Sequence, residues 1–439
     1  MLKKVLIITY YWPPSGGSGV QRWLKFAKYL PEFGWEPIIF TVENGEFPVI
    51  DESLLKEIPK GLTVIKKPIW EPFNLYKKFT GQKKEEKFGH GFAAEKKSGG
   101  FKKTLQNTAV WVRGNYFIPD ARKFFIKPSI EFLEKYLKEN NITHVITTGP
   151  PHSMHLIGLG LKKKLNIKWI ADFRDPWTGV YYFKDLKLSN SSFNKHRELE
   201  NEVLLNADKI ISVGKNLKIN LDELAGKEKM KDRSVVITNG YDFDLKENKT
   251  QLSGSEFSIT YTGLFSKDQN HDALWEAMGE LLEENKEFRK ALKIKTYGKI
   301  DASILIALEK NGLQNNFEKF EYIPLNEIGE VQRRASLLLL CINHYPGEKE
   351  MLTGKLFDYI CSNRPILNVG PLDGDAADII SETQTGETFV RTDKAGIKNF
   401  LAASFEKFKK NELKISPKAI EKYSRRELSR KLSEELNSL

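Results

Sequence analysis

Residues 4–33 read KVLIITYYWPPSGGSGVQRWLKFAKYLPEF, an apolar run followed by a glycine-rich loop and an amphipathic stretch. The run at residues 4–9 is typical of a buried strand, and the apolar spacing over residues 20–33 predicts a helix. A second apolar run follows at residues 37–42. A strand, a helix and another strand in this order predict a parallel βαβ unit.

The same alternation continues along the first half of the chain. Short apolar runs predict further strands, and the amphipathic stretches between them predict helices. The predicted strands are residues 143–148, 168–173 and 209–213, and the predicted helices are residues 129–140, 153–165 and 194–206. This pattern is typical of a parallel sheet with helices on both faces.

A turn at residues 238–240 and a polar stretch at residues 246–255 interrupt the alternation, which then restarts. The second set has strands at 258–263, 293–298, 317–323, 337–342 and 365–369, helices at 272–285, 302–311 and 353–362, and a last amphipathic helix at 417–436. We therefore predict an α/β protein with two doubly wound, Rossmann-like domains. The predicted domains are residues 1–238 with a basic insertion at about 74–125, residues 239–415, and a C-terminal helix at 416–439 that crosses back to the first domain.

Composition narrows the class of protein. The chain has 439 residues, a net charge of +11 and 40% hydrophobic residues, which exclude a mostly disordered protein. No run approaches the roughly 18 apolar residues of a membrane span. Two cysteines cannot form a disulfide framework, so a reducing compartment is expected. We predict a cytoplasmic location, with peripheral attachment to the inner face of the cell membrane as an option.

The positive charge is concentrated in one segment. Residues 77–103 hold nine lysines and three glutamates, a net of +6, among several glycines, and we predict a long loop there. The segment is either a solubilising insertion or a site of attraction to an anionic membrane surface. No base-reading module accompanies it, so nucleic acid is not an expected partner. Aromatic and basic residues alternate over residues 111–127, which suits either a membrane interface or a buried helix with a basic rim.

Two strand-to-helix loops could bind an anion. In the first, residues 13–19, Gly16 and Gly17 allow positive φ and close approach of the backbone to a ligand, although a plain tight turn fits equally well. In the second, Thr353 can cap a helix whose first amides lie beside Lys355. An ordinary capped helix with a surface lysine explains that pattern as well. No cluster has metal-ligand spacing, so we expect no metal.

Several motifs together resemble those of the family-four glycosyltransferases. Glu350 and Asp358 are eight residues apart, as in the E-x7-E signature of that family, with aspartate in the second place. Similar motifs occur in the family's order at residues 14–19, 207–213, 236–242, 261–263, 355–359 and 364–367. The resemblance implies the GT-B fold, in which two Rossmann-like domains face each other across a cleft.

The resemblance also implies a function and its residues. A nucleoside-diphosphate sugar would be the donor, no cofactor would be needed, and the acceptor would be a glycan or a lipid-linked glycan of a bacterial surface polysaccharide. The sugar, a hexose, would be transferred with retention of configuration. Glu350 would contact the transferred sugar and Asp358 the ribose. The expected diphosphate and turn positions are Gly16, Gly17, Gly263, Lys267, Thr353, Gly354 and Lys355.

The chain departs from the family pattern at three places. Leu264 and Asn270 stand where the family has an arginine and a lysine, with Lys267 nearby. Arg174 stands where many relatives have a histidine, and it can stabilise charge but not act as a base. Asp172 could orient an acceptor hydroxyl or pair with Arg174. Rival functions are a nucleotide-sugar epimerase of the same fold and a non-catalytic nucleotide-sugar-binding protein.

Overall fold

The computed structural model describes residues 2–72, 100–242, 255–321, 323 and 325–439. The chain separates into two compact units. The first unit joins Met1–Thr238 to Arg425–Leu439, and the second unit is Asn239–Ser424. Residues 74–99 of the predicted basic insertion lie outside the described residues. In the part that the structure describes, no helix is long and apolar enough to cross a membrane.

The first unit is built on a seven-stranded parallel sheet with the order β3-β2-β1-β4-β5-β6-β7. The strands are β1 (Lys3–Ile8), β2 (Trp35–Val42), β3 (Thr63–Lys67), β4 (His144–Gly149), β5 (Lys168–Phe173), β6 (Lys209–Ser212) and β7 (Ser234–Val236). Leu6 and Ile8 of β1 pack into one apolar cluster, and Val5 and Ile7 pack into another. Because both faces of β1 are buried, the continuous apolar run of the sequence is explained.

Helices cover both faces of this sheet. They are α1 (Ser18–Tyr29), α2 (Gly100–Tyr116), α3 (Lys123–Glu139), α4 (Ser153–Lys164), α5 (Asn190–Asn206), α6 (Lys215–Ala225) and the short α7 (Lys227–Met230). The sequence predicted a loop up to residue 103, and this was wrong for residues 100–103, which belong to α2. The C-terminal half of α2 packs so closely that a Cβ on Gly114 would lie 2.6 Å from the Leu186 carbonyl oxygen.

The second unit contains a six-stranded parallel sheet with the order β10-β9-β8-β11-β12-β13. Its strands are β8 (Phe257–Thr262), β9 (Leu292–Tyr297), β10 (Phe317–Phe320), β11 (Leu337–Cys341), β12 (Ile366–Val369) and β13 (Gly386–Phe389). Its helices are α8 (Asp272–Glu284), α9 (Lys286–Ala291), α10 (Ala302–Lys310), α11 (Leu325–Arg334), α12 (Gly354–Ile360), α13 (Asp375–Thr383) and α14 (Lys394–Lys409). The prediction of two doubly wound α/β domains is confirmed.

The C-terminal segment is not the single helix that was predicted for residues 417–436. A short 3₁₀ turn (Ile420–Tyr423) is followed by Ser424 in an extended conformation, and only then does α15 (Arg425–Asn437) begin. The backbone of Ser424 forms a parallel bridge with Tyr241, which breaks the helix. Helix α15 contacts α1 in the first unit and adds leucines to its core.

A buried ion pair holds helix α1 against the sheet of the first unit. Arg22 of α1 and Asp172 of β5 are both fully buried, with Nη2 2.7 Å from Oδ1 and Nε 3.2 Å from Oδ2. The Asp172 carboxylate also accepts hydrogen bonds from Trp23 Nε1 (3.1 Å) and Thr148 Oγ1 (2.8 Å). Four donors therefore compensate the buried negative charge.

The remaining donors of Arg22 fix the end of the first unit. Its Nη2 and Nη1 atoms donate to the carbonyls of Ile237 (2.9 Å) and Thr238 (2.7 Å). Thr238 is the last residue of Met1–Thr238 in this unit. One guanidinium thus connects α1, β5 and the segment that leaves the first domain.

Asp172→Asn should destabilise the first unit by about 3–5 kcal/mol, because the buried guanidinium of Arg22 loses its counter-charge. Denaturant unfolding followed by tryptophan fluorescence measures this, since seven of the eight tryptophans lie in the first unit. The control is Glu57→Gln. It removes the partly exposed ion-pair partner of Lys25, a residue that also lies on α1, and should cost at most about 1 kcal/mol. Equal costs for the two variants would contradict the assigned role of the pair.

Candidate functional site

The strand order of the second unit's sheet reverses between β8 and β11. Open α/β sheets bind their ligands at such a switch point. Strand β8 ends at Thr262, and Gly263 follows with a φ of 96°. A Cβ on Gly298, at the end of β9, would lie 2.8 Å from the Gly263 carbonyl oxygen. The ends of the two strands approach so closely that only glycine fits at residue 298, and no sequence motif predicted this role.

Lys355 of α12 lies at this end of the sheet. Its Nζ is 3.8 Å from the centre of the Tyr261 ring, and it would lie 3.5 Å from a Cβ on Gly263. Burial lowers the pKa of Lys355 to about 7. Among the residues that the structure describes, no carboxylate pairs with this ammonium. A half-buried cation that faces an aromatic ring and, in the described part of the chain, no carboxylate is suited to an anionic ligand.

Hydrogen bonds fix the ring beneath Lys355. The Tyr261 hydroxyl donates to the Leu264 carbonyl (2.8 Å) or to Gln269 Oε1 (3.0 Å), and Gln269 Nε2 donates to the Cys341 carbonyl (3.0 Å). The Thr262 amide donates to the Tyr359 hydroxyl at 3.0 Å. These contacts link the ends of β8 and β11, so the surroundings of Lys355 are rigid. Sequence reasoning missed Gln269, because its partner Cys341 is distant in the chain.

The other predicted donor residues of α12 lie close by in sequence. Thr353 holds the N-cap position before Gly354, but its side chain makes no capping hydrogen bond, so the predicted cap was wrong. The Thr353 hydroxyl is buried and has no partner among the described residues. Asp358 lies about one helical turn beyond Lys355, and Glu350 ends a 3₁₀ turn that precedes the helix. Their predicted contacts with a donor remain predictions.

The positions that depart from the family pattern take other roles. Leu264 is 63% exposed directly after Gly263. Asn270 accepts a hydrogen bond from Trp275 Nε1 (2.7 Å) and donates to the Ser303 carbonyl (3.1 Å), which makes it a structural residue. Lys267 is exposed at the start of a 3₁₀ turn. Lys355 therefore has a much more enclosed setting than Lys267.

In the first unit, the strand order reverses between β1 and β4, and the Arg174 side chain reaches the end of β4. Its Nε donates to the Gly149 carbonyl at 3.2 Å, and its Nη2 donates to the Pro150 carbonyl. A Cβ on Gly19 would lie 1.9 Å from Nη1, so the first turn of α1 has room for this guanidinium only because residue 19 is glycine. Burial lowers the pKa of Arg174. Arg174 is thus a fixed cation at this edge of the sheet.

The other predicted site residues of the first unit are Asp172, Gly16 and Gly17. The cation that pairs with Asp172 is Arg22, and four donors already occupy the Asp172 carboxylate. The Gly16 amide donates to the Val49 carbonyl at 2.9 Å. Gly17 has a φ of 99° and nothing within 4 Å of the place where a side chain would be. The glycine loop is therefore held at Gly16 and open at Gly17.

Two histidines beside this loop are packed in the interior. His155 Nδ1 lies 2.8 Å from Thr147 Oγ1, and the His152 ring stacks on Trp177 with centroids 4.7 Å apart. Burial lowers the pKa of His155 to about 3 and that of His152 well below its ordinary value. Both rings are neutral at physiological pH, and their packing favours a structural role.

No protein-family model and no curated protein sequence matches the chain. Solved structures do match. A glycosyltransferase from Rickettsia africae is 14% identical with a TM-score of 0.62, covering 100% of this chain and 98% of that one. The Anabaena protein HepE in complex with UDP-glucose is 11% identical with a TM-score of 0.60, covering 99% and 100%. WaaG, a glycosyltransferase of lipopolysaccharide biosynthesis, is 13% identical with a TM-score of 0.53, covering 98% and 95%. The chain therefore has the GT-B fold.

Proposed function

We propose that this protein is a glycosyltransferase that moves a hexose from a nucleoside-diphosphate sugar to a glycan or lipid-linked acceptor, with retention of configuration. The observation that carries the proposal is the ammonium of Lys355 at the switch point of the second unit, which faces the Tyr261 ring and no carboxylate among the described residues. These surroundings favour an anion at the switch point, which is where open α/β sheets bind their ligands. The similarity to HepE, whose structure contains UDP-glucose, supports a nucleotide sugar as that ligand.

The chemistry of the reaction explains why an ammonium is useful there. Breaking the bond between the sugar and the diphosphate transfers an electron pair to the leaving oxygen, so negative charge grows on the phosphate. A fixed cation stabilises that charge more in the transition state than in the ground state. The Lys355 ammonium lies over the Tyr261 ring, with Nζ 3.8 Å from the ring centre. We assign it to the donor diphosphate.

The other site residues complete the proposal. Asp358 would accept hydrogen bonds from the ribose, and Glu350 would contact the transferred sugar. Arg174 would bind an anionic group of a substrate with the face that its two bonds to backbone carbonyls leave available. Asp172 does not take part in the reaction in this proposal, because Arg22, Trp23 and Thr148 occupy its carboxylate. The similarity to WaaG supports a glycan of the bacterial surface as the acceptor.

A calorimetric screen of nucleoside diphosphates, followed by a nucleotide-release assay with the matching sugar donors, tests the proposal. We expect one nucleoside diphosphate to bind and its release from the donor to depend on an acceptor. Conversion of the donor into an isomeric nucleotide sugar without release would indicate the epimerase instead. Binding without either reaction would indicate a non-catalytic binding protein, and no binding at all would refute the nucleotide site.

Lys355→Ala should weaken nucleoside diphosphate binding about tenfold to a hundredfold, because a hydrogen bond to a charged group contributes roughly 1.5–3 kcal/mol. Calorimetry measures the affinity. The control is Lys310→Ala, which removes an exposed lysine of the same unit at the end of α10 and should leave the affinity unchanged. If the two variants bind equally well, the diphosphate does not lie at Lys355.

The affinity should also depend on pH around 7. Below this pH the free protein already carries the ammonium, whereas above it the amine must take up a proton before it can bind an anion. Affinity should therefore fall by up to about tenfold per pH unit above 7, with proton uptake on binding. Lys355→Arg stays charged and should lose this dependence, while the titration of the ligand itself is common to both proteins. Identical pH profiles would contradict the assignment.

A further inference from the structure

The first unit exposes large aromatic rings in one region, near the end of α2 and the start of α3. Six of the eight tryptophans of the chain are almost fully buried, and the two exposed ones, Trp70 (56%) and Trp111 (42%), both lie there. Tyr116 and Phe124 are 62% and 45% exposed in the same region. Clustered exposed aromatic rings mark an interaction surface.

These rings form a continuous surface. The centres of Trp70 and Phe124 are 4.9 Å apart, those of Phe124 and Phe117 6.0 Å, and those of Trp111 and Tyr116 5.8 Å. Lys123 joins the two groups, since its Nζ lies 5.3 Å from the Phe124 ring and donates to the Tyr116 carbonyl at 2.6 Å. We call this set the aromatic patch: Trp70, Trp111, Tyr116, Phe117, Lys123 and Phe124.

The backbone beneath the aromatic patch is firmly held. Asn115 Nδ2 donates to the carbonyls of Trp111 (2.8 Å) and Lys187 (3.2 Å), and Asn115 Oδ1 accepts from the Ser189 amide (2.7 Å). On the other side, Arg122 forms an ion pair with Glu71 at 2.9 Å. The exposed rings therefore stand on a fixed support.

The charge around the patch is strongly positive. Residues 100–127 contain six basic residues and one acidic residue, Asp120. The Asp120 carboxylate points inward, where it accepts hydrogen bonds from the amide (2.9 Å) and hydroxyl (2.7 Å) of Ser153. Lys127 has 88% of its side chain exposed, and its Nζ lies 4.0 Å from Oε1 of the exposed Glu131. Because Arg122 is paired with Glu71, the cations that the patch presents to a partner are Lys123, which lies against the Phe124 ring, and Lys127, whose exposed pair with Glu131 is weak.

We propose that the aromatic patch docks the first unit on an anionic lipid bilayer, with its rings at the headgroup level and its lysines against acidic lipid phosphates. Tryptophan and tyrosine favour that level because one end of the ring is apolar and the other is polar. Each nearby lysine strengthens attraction to anionic lipid. This inference is independent of the nucleotide site in the second unit.

Single-stranded nucleic acid is the other class of partner that combines rings with cations. It binds by stacking bases on ring faces that lie in a basic groove. In the patch, the Trp70–Phe124, Phe117–Phe124 and Trp111–Tyr116 pairs meet edge to face, at angles of 81°, 73° and 68°. Each pair thus covers ring faces rather than offering parallel platforms. This arrangement favours the lipid surface.

Sedimentation of the full chain with phosphatidylcholine vesicles, with and without phosphatidylglycerol, tests the inference. The protein should bind the vesicles that contain phosphatidylglycerol and much less to the neutral ones. The double variant Trp111→Ser, Tyr116→Ser and the double variant Lys123→Gln, Lys127→Gln should each reduce binding about tenfold or more. Matched controls in the second unit are Leu305→Ser with Ile306→Ser, both exposed, and Lys407→Gln with Lys410→Gln.

Two further measurements make the outcome decisive. Circular dichroism and nucleoside diphosphate binding should be the same for all four variants, which separates loss of docking from loss of folding and from failure of the proposed function. Tryptophan emission should shift to the blue with anionic vesicles and should not shift in Trp70→Phe, Trp111→Phe. Binding that is equal for patch and control variants, absent, or equal with neutral vesicles would overturn the inference. So would binding of a single-stranded oligonucleotide that the patch variants abolish, in the absence of vesicle binding.

Discussion

The structure of the first unit depends on the buried pair of Arg22 and Asp172. A charge in the interior is tolerated only when partners replace its water, and here each side chain makes four hydrogen bonds. The pair places α1 against β5. Because α1 begins at the glycine loop, the same pair sets where Gly17 and Gly19 lie and how closely the first turn of α1 approaches Arg174.

The cations of the two units differ in how their charge is compensated. The Arg22 guanidinium donates four hydrogen bonds to Asp172 and to two backbone carbonyls, so its role is structural. Lys355 is half-buried, and the described residues offer it an aromatic face and no carboxylate. A partly desolvated charge without a counter-charge costs stability, and a ligand of opposite charge would recover part of that cost. This contrast is the physical basis for assigning Lys355, and not Asp172, to the reaction.

Much of the fold could be predicted from periodicity, because buried parallel strands give continuous apolar runs such as residues 5–8. Elements that depend on tertiary contacts were missed. The start of α2 at residues 100–103 was predicted as part of a loop, and the break at Ser424, where the backbone forms a bridge with Tyr241, was predicted as continuous helix. In the site, the motif around Lys355 was visible in the sequence. The partner of Asp172 was not, because Arg22 lies 150 residues away, and the close approach of Gly298 to Gly263 has no signature in either segment.

A crystal structure of the protein with the nucleoside diphosphate that binds it most tightly would locate the diphosphate directly. We expect a phosphate oxygen at hydrogen-bond distance, about 3 Å, from Lys355 Nζ, beside Gly263 at the end of β8. A diphosphate bound elsewhere, with the ammonium of Lys355 still facing only the Tyr261 ring, would contradict it.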